Sequence, residues 1–187
     1  LPPLPATRTF RAWFRARGAF HRLPPGAPRV ILFCDEFTDL FEPENGIAAV
    51  EVLEALGFRV ELAAHSESGR AALSKGLLDR ARSLARNNVR RLAPLVSEKV
   101  PLVGIEPSAL LCFRDEYPAL LRGGERDDAI ALSRNCHLID EFLADLADAG
   151  RIPDAIFNKG GRIIHLHAHC QQKALGSVAS TVRMLSL

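Results

Sequence analysis

Four short apolar runs dominate this chain, each followed by a polar stretch and then a helical pattern: RVILFC at 29–34, FRVELAA at 58–64, PLVGIE at 101–106 and RIIHLH at 162–167. Runs this short, rich in Val, Ile, Leu and Phe, suit strands buried on both faces. The segments between them carry helical spacing. ENGIAAVEVLEALG follows the first run, with Gly57 placed to stop the helix, and one long helix is expected over 69–96. PSALLCFRDEYPALL and ERDDAIALSRNCHLIDEFLADLADAG read as shorter helical pieces, and a last helical pattern begins near Gln171. Strands alternating with helices predict an α/β domain, Rossmann-like and three-layered, with a parallel sheet of roughly four strands covered on both faces.

At 187 residues the chain can bury one full core but not two ordinary ones. Residues 1–27 begin and end in proline-rich punctuation and read as a linker. Within it Phe10, Trp13 and Phe14 fall at helical spacing among arginines, predicting a short amphipathic helix that docks on a neighbouring domain. Residues 28–187 form the folded part. The formal charge of +2 gives no ground for a nucleic-acid partner, although Arg8, Arg11, Arg15, Arg17, Arg22 and Arg29 share a stretch without an acid, which predicts a local contact surface. No run of about 18 apolar residues is present, and the start lacks the order of a signal peptide, so a cytoplasmic location is expected. Cys34, Cys112, Cys136 and Cys170 form no CxxC pair, which fits free thiols in a reducing compartment.

Ligands of open parallel sheets bind beyond the carboxyl ends of the strands. The segments there are CDEFTDLFEPENG, HSESGR, EPSALLCFRDEY and HAHCQQK, and they bring Glu36, Glu42, Arg70, Lys75, Glu106, Arg114, His169 and Lys173 forward as rim or ligand-binding candidates. Glu106 directly follows the apolar PLVGI, so its carboxylate needs a partner; Arg70, Arg114 or Lys75 would serve, in a structural ion pair or a catalytic site. Arg114–Glu116 reads as a substrate clamp or as exposed helix charges. Ser68 is placed to cap a helix whose first N–H groups face an anion, although neither GxGxxG nor Walker spacing is present.

HLHAHCQQKA puts histidines at 165, 167 and 169 and a cysteine at 170. Alternation along a strand would set His165 and His167 on one face, with Cys170 turned to the rim. Three imidazoles invite a zinc reading. Two of them lie inside the expected strand, however, where core or supporting histidines are ordinary, and a structural zinc site needs four placed ligands.

Taken together, GRAALSKGLLDRAR, VGIEPSALLCFRDEY, LIDEFLA and HAHCQQKAL resemble the cysteine-rich CCG domain found in heterodisulfide reductase and in the iron–sulfur parts of glycolate and D-lactate oxidases. The likeness runs from about Arg29 to Leu187 and is greatest to the C-terminal domain of long fused FAD-linked oxidases. It implies an electron-transfer or docking domain of an FAD-dependent oxidoreductase acting on a D-2-hydroxy acid. The alternative is a degenerate non-redox assembly or small-anion-binding module. FAD and [4Fe–4S] clusters would belong to the full-length protein, with none in this segment. FAD-binding and ferredoxin-like domains of the same polypeptide would be its partners, in the cytoplasm or at the periphery of the inner membrane. The pattern departs from the family at its thiolates. Glu67-Ser68-Gly69-Arg70 stands where many members read Cys-Cys-Gly-Arg, and Glu106-Pro107-Ser108-Ala109 where many read Glu-Pro-Ser-Cys. Cys170 matches a family cysteine, which implies a cluster ligand completed by residues of a second CCG half lying outside this chain.

Overall fold

A computed structural model describes residues 4–17, 23–153, 156–157, 161 and 163–187. The sheet has four strands, β1 (Arg29–Phe33), β2 (Arg59–Glu61), β3 (Leu102–Gly104) and β4 (Cys136–Leu138), in the order β2-β1-β3-β4 with every pairing parallel. The expected fold class holds.

Alternation along β1 divides the core. Ile31 and Phe33 face one layer together with Leu102, Cys136 and Leu138, while Val30, Leu32 and Cys34 face the other with Val60 and Val103. The first layer is covered by α5 (Leu78–Leu92), α6 (Pro107–Leu110), a 3-10 turn (Leu111–Phe113), α7 (Glu116–Leu120) and α8 (Gly123–Ser133). The second is covered by α1 (Phe10–Ala16), α3 (Pro43–Ala55) and α9 (Ile139–Asp148). Short α2 (Glu36–Leu40) and α4 (Arg70–Ser74) begin the crossovers after β1 and β2, and α10 (Cys170–Leu175) and α11 (Val178–Leu185) end the chain.

The fourth strand differs from expectation. Residues 163–169 have no regular structure, Ile163 is 88% exposed, and Arg162 lies outside the described residues. The place beside β3 is taken instead by Cys136–Leu138, from within a stretch that reads as helical, with the Leu102 N–H donating to the Asn135 carbonyl at 2.9 Å. A three-residue strand between two amphipathic helices is shorter than the window over which alternation can be seen. The long helix expected over 69–96 is likewise two, broken at Gly76, whose φ of +71° no helix continues. Gly57 does follow the end of α3.

The amphipathic helix is present, but it docks on this domain. Phe10 of α1 is wholly buried against Gly46 of α3, and Arg17 stacks 4.1 Å from the Phe14 ring centre while forming an ion pair with Glu54 at 2.8 Å. The arginine run meets acids from elsewhere in the chain: Arg11 pairs with Asp39 and Arg29 with Glu61, whose carboxyl is held below its ordinary range by that hydrogen bond. Arg22 lies outside the described residues.

A hydrogen-bonded latch attaches α10 and α11. Buried Gln172 donates to Asp140 of α9 at 2.6 Å and to Thr181 at 2.7 Å, and Thr181 donates to the same Asp140 oxygen.

Candidate functional site at the carboxyl-terminal rim

The crossover after β1 runs to one face of the sheet and that after β3 to the other, so the switch point lies between these two neighbouring strands. Asp35 and Glu36 leave β1 there, and Glu106 leaves β3. Buried Asp35 caps α2, accepting from the Phe37 and Thr38 N–H groups and from the Thr38 hydroxyl; burial raises its pKa above the usual carboxylate value.

Glu36 reaches across to the turn after β2. One of its oxygens accepts from the Ser68 N–H at 2.9 Å and the other from the Ser68 hydroxyl at 2.6 Å. Ser68 also accepts from the Arg70 N–H at 3.1 Å, as a cap would, but its N–H is not free for an anion. From below, the turn is pinned by two wholly buried polar residues. Tyr117 donates to the Ser68 carbonyl at 2.8 Å, and Asn88 donates to Tyr117 and to the Glu67 carbonyl while accepting from the Ser66 N–H at 2.7 Å. The signal for Asn88 is visible in the sequence as Asn87-Asn88 inside a helical pattern, where asparagine is disfavoured unless its side chain has work elsewhere.

None of the three basic residues expected beside Glu106 is its partner. Glu106 caps α6 by accepting from the Ser108 N–H at 3.0 Å and its hydroxyl at 2.5 Å, and His169 stands 3.9 Å away. Arg70 pairs with Glu116. Arg114 donates to the Cys136 carbonyl at 2.7 and 2.9 Å and forms an ion pair with Glu141, so it fastens β4 and is no free clamp. Lys75 is exposed at the C-cap of α4, Lys173 is exposed on α10, and Glu42 accepts from Asn45 at 2.6 Å at the start of α3. The structure therefore joins Glu36 to Ser68 and Glu106 to His169, and ties Arg70 and Arg114 to acids on the first-layer and second-layer helices.

The three histidines are not gathered into one cluster among the described residues. His165 and His167 are exposed, contrary to a place in the core, because the strand that would have buried them does not form. His169 caps α10, its Nδ1 accepting from the Gln171 N–H at 3.1 Å, and the exposed Cys170 thiol lies 3.9 Å from the same nitrogen. Cys34, Cys112 and Cys136 are buried, and burial pushes each thiol up to about 12. Among the described residues no group of three or more His, Cys, Asp or Glu side chains is placed to hold a metal ion.

One polar cluster had no sequence signal. Beside the β1 and β2 ends, a cleft of about 370 Å³ is lined by Arg11, Cys34, Glu36, Asp39, His65 and Ser66. Arg11 donates to the Cys34 carbonyl at 2.9 Å and to His65 Nε2 at 2.8 Å, while His65 Nδ1 donates to the Ser66 carbonyl at 2.7 Å, which fixes one neutral tautomer. Burial, and secondarily the Arg11 charge, lowers the His65 pKa to about 4. The unfolded ring binds its proton near 6.5, so the unfolded chain takes up more protons between pH 6.5 and 4. Stability is thus fully present above pH 6.5 and lost as pH falls toward 4. In urea unfolding followed by circular dichroism, the native chain should lose stability across that window more steeply than His65→Gln, by up to ~1.4 kcal/mol per pH unit. Equal slopes would refute the neutral buried imidazole.

A larger groove, of about 750 Å³, lies between the C-terminal half of α5 and α8, on the amino-terminal side of β3 and β4. None of the candidates above lines it.

No protein-family model matches the chain, and no solved structure gives a significant match. Among curated proteins it is 29% identical over 146 residues to D-2-hydroxyglutarate dehydrogenase of Escherichia coli and 30% identical over the same length to that of Pantoea ananatis. Each match takes in 78% of this chain and 13% of the relative. Lactate utilization protein A of Macrococcus caseolyticus is 26% identical over 165 residues, which is 84% of this chain and 62% of that protein. The chain is similar to proteins named for D-2-hydroxyglutarate dehydrogenation and for lactate utilization, and spans about an eighth of the length of the dehydrogenases it matches.

Proposed function

We propose that this chain is a docking domain of an FAD-linked oxidoreductase that acts on a D-2-hydroxy acid, with D-2-hydroxyglutarate as the first candidate substrate and D-lactate or glycolate as the related ones. The observation that carries the reading is the domain-length similarity to D-2-hydroxyglutarate dehydrogenase over 78% of the chain. In this scheme substrate and FAD bind to other domains of the same polypeptide, ferredoxin-like clusters carry electrons, and this domain holds the assembly together.

The character of the rim supports docking over substrate chemistry. Arg70 and Arg114, its best-placed cations, are each committed to an internal acid. Large apolar side chains stand exposed around it: Phe37 and Leu40 on α2, Phe41 just after it, and Leu77 and Leu78 at the start of α5. Exposed apolar groups of this size, rimmed by charge, mark surfaces that another body covers.

The test uses the full-length polypeptide. Purified protein should contain FAD and reduce a small dye with D-2-hydroxyglutarate. A Phe37→Ser/Phe41→Ser pair should keep that dye-linked rate while raising the rate of limited proteolysis between this domain and its neighbours at least tenfold, since covering the remaining exposed 40% of each ring is worth roughly 0.6–1.2 kcal/mol. Absence of FAD, or of turnover with any D-2-hydroxy acid, would refute the reading.

A further inference from the structure

We infer that the turn after β2 is a self-liganded carboxylate receptor, in which Glu36 fills from the chain's own β1 loop the place that the resemblance gives to metal-binding thiolates, so that this rim is closed to an iron–sulfur cluster. The inference goes beyond the docking reading and does not depend on which hydroxy acid the protein oxidises.

Ser68 stands where the family carries a cysteine of its Cys-Cys-Gly-Arg motif, and it is wholly buried. Its N–H and O–H each hold one Glu36 oxygen, so a single residue satisfies both ends of the carboxylate. Such charge-assisted bonds are the strong ones. The turn cannot swing out to admit another ligand without also releasing Tyr117 and Asn88, both fully buried, from its carbonyls and N–H groups. At the second position Ala109 replaces the cysteine, and it too is wholly buried, packed with Leu110 and Phe113 in the core.

Thiolates are what hold an iron–sulfur cluster, commonly four of them. Cys34, Cys112 and Cys136 are buried, and Cys112 and Cys136 donate to the carbonyls of Ser108 and Leu132 at 3.1 and 3.2 Å. Cys170 is exposed, with His169 as its described polar neighbour at 3.9 Å. The chain can therefore offer at most one accessible sulfur, on the opposite side of the switch point from a turn that already holds its own carboxylate. At the Ser68 and Ala109 positions the residues present do not fit the cluster that the resemblance implies, and Cys170 alone would leave three of about four ligands to come from outside this chain.

The experiment measures iron, acid-labile sulfide and FAD per chain in the full-length protein purified anaerobically, as the native form, Cys170→Ser and Glu36→Gln. Iron and sulfide per FAD should be equal in all three, and iodoacetamide should alkylate Cys170 of the native protein without loss of iron, as read by peptide mass. Glu36→Gln should lower the thermal midpoint. Loss of about four irons per chain in Cys170→Ser, or a Cys170 shielded from alkylation until iron is chelated, would overturn the inference. Should Cys170→Ser fail to fold, the alkylation of native protein still decides. A protein lacking FAD would defeat the proposed function and leave the Cys170 measurement intact.

Discussion

Replacing Arg114 with alanine is expected to destabilise the protein by ~3 kcal/mol, the lower end of what removing one partner of a buried ion pair costs. The residue leaves the 3-10 turn with two tasks. Its guanidinium takes the Cys136 carbonyl by two N–H groups and pairs with Glu141 at the start of α9. Glu141 in turn accepts from the Leu138 N–H at 3.0 Å. One side chain thus ties the crossover after β3 to both ends of β4, and its loss leaves the Glu141 carboxylate without its cation and takes two N–H donors from the Cys136 carbonyl. The side chains of Arg114 and Glu141 remain 23% and 12% exposed, and this contact with water sets the estimate at the lower end. Arg114→Lys should recover less than half the loss, because an ammonium cannot reproduce the fork. Urea unfolding with unchanged m-value measures it; a loss under ~1 kcal/mol would mean that the pair is solvated.

The second large effect lies at α1. Phe10→Ala should cost ~3–5 kcal/mol, the usual range for emptying a wholly buried phenylalanine site. Gly46 gives this prediction a sharper form. A Cβ at position 46 would lie 2.6 Å from the Phe10 ring, so Gly46→Ala should destabilise the native chain by pushing α1 off α3. With Phe10 already replaced by alanine, the clash is gone and the helix preference for alanine over glycine remains, worth up to ~1 kcal/mol of stabilisation. The sign of Gly46→Ala should therefore reverse between the two backgrounds in a double-mutant cycle. An unchanged sign would mean that α1 is not part of the cooperative core.

Which features could be read from the residues, and which could not, follows from how far each signal extends along the chain. Two strands announce themselves as apolar runs of five residues, VILFC and PLVGI, and a third as the alternating FRVEL, and each lies where its pattern predicts. β4 does not, because three residues between helices carry no period, and RIIHLH mimics a strand because composition alone says nothing about whether a neighbour is free to pair. Phe10, Trp13 and Phe14 reveal a helix, but spacing cannot say whose surface it covers; the absence of a side chain at Gly46 decides that.

The rim was legible as a place and much less as a set of contacts. Glu36, Arg70, Glu106, Arg114 and His169 do gather at the strand ends, yet pairing Glu106 with an arginine overlooks that a carboxylate just before Pro107 can cap its own helix. Arg11 and His65 are 54 positions apart, and nothing local links an arginine in a proline-rich lead to a histidine beyond the second strand.

The Asp140 latch gives the domain a mechanical seam. α11 buries no residue completely and α10 buries only Gln172, so the polar contact at Asp140 works beside two partly exposed apolar ones, Leu175 against the first layer and Met184 against the second. Cys170 and His169 stand at the head of this pair, so the position of the rim's one exposed thiol rests on the buried three-way contact among Asp140, Gln172 and Thr181.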